Sequence, residues 1–218
     1  MKRIGEVSFD TLFQNCIYSS IAHAVFVLDA PFFDYLQSWD GLNYSFNFHN
    51  TRGTISFYPV EQVVVGAARN EESKRRNLYP NYEANEFFFE APEFVQEKAR
   101  VDALEYLYDE VEGIVKPMAT VGFWIENSIV YSKDDSEEFL NNGGEYFLIV
   151  SKSLMDVKEF CLEEYAFSDS EIDLVDYIYE CYIERKPIDN GRVASIINES
   201  CKGYKQCLES LAEIGISL

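Results

Sequence analysis

Tyr44-Ser45-Phe46-Asn47-Phe48-His49 alternates aromatic and polar side chains residue by residue, the period of a strand with one buried face. The turn signal Asn50-Thr51-Arg52-Gly53 follows, and Ile55-Ser56-Phe57 resumes the alternation. Beyond Pro59 the valine-rich run Gln62–Ala68 supplies a third strand, so this stretch reads as an antiparallel meander. Working towards the N-terminus, Ser8 is placed to cap a helix on which Phe9, Leu12, Phe13, Cys16 and Ile17 recur at helical spacing. Whether that helix continues to Leu28 or gives way to a strand over Ala22–Leu28 is open. Asp29-Ala30-Pro31 opens a short helix through Trp39, stopped by Asp40-Gly41.

Working towards the C-terminus, Arg69–Tyr82 reads as loop. Pro92 stands where a first helical residue would, and the pattern predicts a helix to Val111 ending at Gly113. Strands are expected at Ala119–Ile125 and Tyr146–Val150, with a short acidic helix and the turn Asn141-Asn142-Gly143-Gly144 between them. The rest is helical, at about 154–165, 169–185, 191–200 and 204–214, and Ser168 with Glu171 forms a capping-box pattern. Strands followed by a run of helices give an α+β class, an antiparallel sheet packed with helices. The expectation is one domain over 1–218, with 1–150 mixed and the helical part at 151–218.

Eighteen Lys and Arg stand against 38 Asp and Glu, a formal charge of −20. That balance argues against gripping phosphates or anionic lipid, so neither nucleic acid nor membrane is expected as a direct partner. Seventeen Phe and fifteen Tyr supply ample buryable area, which excludes a disordered chain. The longest strongly apolar run, Ile21–Leu28, is too short to span a bilayer, and a cytoplasmic location is the expectation. Five cysteines with no CxxC read as reduced, buried thiols.

The acidity is concentrated. Residues 81–180 hold 6 basic and 25 acidic side chains, net −19, whereas the segments on either side are nearly neutral. On the expected helix after Pro92, Asp102, Glu105, Asp109 and Glu112 share a face. On the helix from Asp169, the carboxylates of Asp169, Asp173, Asp176, Glu180 and Glu184 form a stripe, with Tyr177 among them and Ile172, Val175, Tyr179 and Ile183 lined up for burial. Each stripe alone is as readily a solvated face as a site, while two together suggest a negative surface built to meet a positive one. Tyrosine beside carboxylate is also an interface mixture.

Catalytic signals are absent from the sequence: there is no GxGxxG, Walker loop, GxSxG or HExxH. His49, Arg52 and Tyr58 fall near one hairpin, but a lone histidine at a strand end is more often a surface residue, and His23 reads as packed. No cofactor or metal is expected. The basic run Arg69, Lys74, Arg75 and Arg76 is read as a solvated loop or as a neutraliser of the protein's own acids rather than as a phosphate site.

Six segments together carry a resemblance: GTISF (53–57), VVVGAARN (63–70), ALEYLYDEVEG (103–113) with Pro117, ATVGFW (119–124), NNGGEYF (141–147) and the following helix LMDVKEF. Over about 44–185 the chain resembles bacterial cytosolic immunity proteins of polymorphic-toxin and contact-dependent growth inhibition systems. The resemblance implies a small acidic protein that binds one cognate toxin domain, commonly a basic nuclease, and blocks it. Two other classes stay open: a small carboxylate- or metal-dependent hydrolase without a recognisable motif, and a nucleic-acid mimic occupying a DNA-binding protein.

Overall fold

A computed structural model of the chain describes residues 1–78, 83–111 and 113–218. Nine strands are present among them: β1 Lys2–Glu6, β2 Gln37–Asp40, β3 Asn43–Phe48, β4 Thr51–Tyr58, β5 Val63–Asn70, β6 Tyr108–Val111, β7 Ile114–Pro117, β8 Val121–Glu126 and β9 Ile129–Ser132. The helices are α1 Phe9–Val27, α2 Glu93–Lys98, α3 Ser136–Phe139, α4 Glu145–Val150, α5 Leu154–Tyr165, α6 Asp169–Glu184, α7 Asn190–Val193 and α8 Tyr204–Glu213. Seven strands form one antiparallel sheet in the order β1-β9-β8-β5-β4-β3-β2, and β6 and β7 form a separate hairpin. The class is α+β, and the meander β3-β4-β5 lies where the alternation places it.

The sheet is covered on both faces. Alternation assigns Phe46, Phe48, Ile55, Phe57, Val64, Phe123 and Ile125 to one side, where α1, α4, α5, α6 and α8 complete the larger core. Val63, Val65, Ala67 and Trp124 point to the other side, under a smaller cover contributed by residues 84–107. Two phenyl rings lie flat across neighbouring strands because the facing residue is glycine. Gly53 pairs with Phe46 and Gly66 with Phe123, and a Cβ at Gly66 would come within 2.3 Å of the Phe123 ring.

Helix α1 settles the choice left open at Ala22–Leu28: it runs unbroken to Val27, capped by Ser8 accepting from Thr11 N at 3.0 Å. It is buried almost all round, lying against the sheet, α5, α6 and α8, so the helical spacing that marks its first turns fades towards Val27. The expected helix from Pro31 is a 3-10 turn over Pro31–Leu36, after which the chain extends into β2. Residues 146–150 are helical rather than extended, because β9 already occupies the sheet position beside β8. The β8–β9 hairpin turns through Asn127 and Ser128, both at positive φ (52° and 62°), the geometry of a tight two-residue turn. The helix expected at 191–200 is only the four residues of α7. Residues 169–184 form a helix where one is expected, with the Ser168–Glu171 capping box formed.

The largest departure follows Pro92. Helix α2 ends at Lys98, a π turn occupies Ala99–Ala103 and a 3-10 turn Glu105–Leu107, and the chain then becomes strand β6. Two forces explain the break. Glu105 and Asp109 would repel at i,i+4 spacing on a continuous helix. Unwinding instead buries Ala99, Ala103, Leu104 and Leu107 against β4 and β5 and turns Asp109 towards the guanidinium of Arg69.

Candidate functional site

The first of the two expected acidic stripes does not exist as a helix face. Asp102 accepts a hydrogen bond from Tyr58 Oη at 2.5 Å. Asp109 pairs with the buried guanidinium of Arg69 and lies 3.6 Å from Arg52. Those contacts hold its carboxyl below the usual range, the Arg69 hydrogen bond contributing most. Glu105 is exposed, and Glu112 lies outside the described residues. This segment fastens the smaller cover to the sheet, and Tyr106 adds a 2.6 Å bond to Asp40.

The second stripe is a real helix face, rotated from the expected one. Leu174, Val175, Ile178, Tyr179 and Cys181 face the core, while Ile183 is exposed and Ile172 half-buried. Asp169, Asp173 and Glu180 point outward. Asp176 is turned inward, accepting from Tyr18 Oη at 2.9 Å and pairing with Lys158 at 2.7 Å, a junction that ties α6 to α1 and α5. Burial and the Asp176 carboxylate both push the Tyr18 phenol up. Tyr177 accepts the N–H of Asp189 at 2.8 Å and lies 3.8 Å beneath the Arg192 guanidinium, a local brace more than an anchor held out to solvent. Glu184 pairs with Lys186 at 2.5 Å.

Sequence reading missed that α5 extends this surface. Residues 154–184 carry ten carboxylates against the single Lys158, net −9. Asp156 and Glu171 are spent on capping boxes and Asp176 on its bridge. Glu159, Glu163, Asp169, Asp173 and Glu180 are exposed and make no ion pair among the described residues. Met155, 65% exposed, stands on the same outer face of α5 as Glu159 and Leu162, at i, i+4 and i+7. The signal available in the sequence was the pair of capping boxes, which fix the register of both helices and therefore which carboxylates are left over.

The other features weighed from the sequence are absorbed by structure. His49, Arg52 and Tyr58 do not converge: they face Glu164, Asp109 and Asp102 respectively. The arginines of the basic run, Arg69, Arg75 and Arg76, neutralise the protein's own acids. Arg75 forms a two-pronged pair with buried Asp134 at 2.6 and 2.8 Å and donates to Thr120 O at 2.8 Å, and Arg76 pairs with Glu71. His23 is buried and bonded through Nε2 to Phe33 O at 3.0 Å. The five cysteines are free thiols, four of them buried. A cavity of ≈ 520 Å³ is edged by charges that pair with one another, Met1 N with Glu90 and Lys133 with Glu86. Among the described residues no three His, Cys, Asp or Glu side chains converge to hold a metal ion, and no helix is long and apolar enough to cross a membrane. No family model matches this chain, and neither a curated protein nor a solved structure does.

Proposed function

We propose that the protein is an inhibitory binding partner, an immunity protein that neutralises a basic toxin domain by presenting the outer faces of α5 and α6. The observation that carries this reading is the set of five exposed carboxylates, Glu159, Glu163, Asp169, Asp173 and Glu180, that make no ion pair among the described residues, on two well-capped helices. Other acids serve the fold: Asp102, Asp109, Asp134 and Asp176 each hold a specific donor. Like charges left unneutralised destabilise a compact state, and a cationic partner relieves that repulsion on docking. Met155 and Leu162 supply apolar contact between the charges, the mixture expected of an interface core with a charged rim. A basic nuclease domain fits, because the lysines and arginines that hold its substrate phosphates would meet these carboxylates instead.

The test is association with a basic toxin domain, to be sought as the C-terminal domain of a secreted protein encoded beside this chain. Stopped-flow association should slow at least about tenfold between about 50 mM and about 300 mM salt. Asp169→Lys, Asp173→Lys and Glu180→Lys combined should slow it further at low salt. Asp176 is left intact because it braces α1 and α5. A triple variant that associates as fast as the wild type removes this face from the interface. If the chain instead captures a DNA-binding protein of its host and competes with DNA for it, the reading moves to a nucleic-acid mimic.

A further inference from the structure

Between the end of β3 and helix α5 lies a cavity of ≈ 70 Å³. Aromatic rings wall it, those of Phe48, Tyr146, Phe160 and Tyr165. His49 and Glu164 stand at its rim, 3.9 Å apart and both solvent-exposed. Gln37, 6% exposed, and Asn47 also line it. Both hydrogens of the Gln37 amide are engaged: Nε2 donates to Ser19 Oγ at 3.2 Å and to Tyr165 Oη at 2.9 Å. Its Oε1 is buried without a hydrogen-bond partner.

A buried amide oxygen left unpaired costs about 1–3 kcal/mol, so the cavity calls for a donor. The chemistry around it narrows what that donor is. Tyr146, Tyr44 and Ser19 satisfy one another behind the wall, and burial holds the phenols of Tyr44, Tyr146 and Tyr165 protonated. The Glu164 carboxylate at the mouth and the Gln37 carbonyl both repel an anion. Four aromatic walls favour a cation over a neutral donor, because their faces carry negative quadrupole charge. The volume corresponds to about two water molecules of liquid, enough for a methylene and an ammonium. An ammonium has three N–H donors, and three acceptors are on hand: Gln37 Oε1, the Glu164 carboxylate and Tyr165 Oη.

We propose that this cavity is a socket for an alkylammonium group, either a small free amine or the head of a partner's lysine side chain. In the second case the inference rests on the reading of α5 as a docking surface, since Glu164 belongs to that helix; in the first it stands alone.

The experiment titrates the full chain with ethylammonium chloride, with ethanol and sodium chloride as controls, following the Gln37 side-chain amide and the Tyr165 ring by NMR. Saturable shifts are expected for ethylammonium, with a dissociation constant on the order of millimolar for so small a ligand. Glu164→Gln, an exposed change that leaves the core intact, should weaken binding about tenfold or more through loss of a charge-assisted bond. Absence of a saturable response, or an equal response to ethanol, leaves an ordinary water cavity and overturns the proposal. A parallel arm measures basic-domain association with Glu164→Gln. If ethylammonium binds and association is unchanged, the socket serves a free amine. If both weaken, it receives a lysine. If ethylammonium fails while the triple-lysine variant still slows association, the socket falls and the docking face stands.

Discussion

Acidification below neutral pH should destabilise the protein through one side chain. The imidazole of His23 is buried among Phe26, Tyr165 and Phe33. Burial lowers its pKa from the ordinary 6.5 to about 4, against the opposing pull of its bond to the Phe33 carbonyl and of Asp34. The unfolded chain takes up a proton near pH 6.5, whereas the folded chain resists until about pH 4. Stability is therefore whole above pH 6.5 and falls as pH drops towards the folded value. The gap of roughly two and a half units corresponds to a loss of about 3 kcal/mol. Carboxyl groups contribute to the pH dependence as well. Asp109, Asp135 and Asp156, all lowered from 3.8, withdraw their support only at more acid pH. Glu213, raised by burial, works in the opposite sense and adds stability when protonated. Comparison with His23→Gln removes these backgrounds, because glutamine keeps a donor for the Phe33 carbonyl and does not titrate. Urea midpoints measured from about pH 7 to about pH 4.5 should fall steeply for the wild type and stay nearly flat for the variant. Parallel profiles for the two proteins would refute the reasoning.

Asp134→Asn should cost about 3 kcal/mol, because it leaves the Arg75 guanidinium facing a neutral amide where a buried carboxylate had been. Replacing both residues with apolar ones should cost clearly less than the sum of the single changes, which a double-mutant cycle in urea would read. Gly203→Ala should be severe, since its Cβ would stand 1.9 Å from the Val27 carbonyl oxygen; a thermal midpoint within about 2 °C of wild type would count against this packing. The triple lysine variant of α6 should leave the urea midpoint unchanged or raise it slightly by relieving like-charge repulsion, and a large fall would show that the stripe is structural.

How much of this was legible depended on whether local pattern and tertiary demand agreed. At β3, β4 and β5 they did: aromatic–polar alternation is also the two-faced burial the sheet requires. At α6 the capping box fixed the start, but Ile183 was expected inside and Leu174 carries that burial instead, a rotation that depends on where α1 lies. Residues 146–150 form an apolar run that serves equally as strand or helix, and only the presence of β9 decides. Residues 102–111 have a helical charge pattern that loses to the burial of Leu104 and Leu107 and to one buried arginine on a strand 40 residues earlier. Of the candidate site, the α6 carboxylates were visible in sequence, whereas the α5 carboxylates and the Gln37 cavity needed the helices placed in space.

One feature of the packing governs how this chain can be made. Helix α1, the centre of the larger core, is closed off by α8, and Gly203 N reaches back to Leu28 O at 2.9 Å. Residues 9–27 leave the ribosome well before residues 204–213 but lack a wall until those follow. A helix buried almost all round must wait for that wall, so a pause or premature stop after α6 releases a chain with this segment uncovered. Recognition of that segment by holding chaperones, and its removal by proteases when synthesis fails, follow from nothing more than the order in which the two helices are encoded.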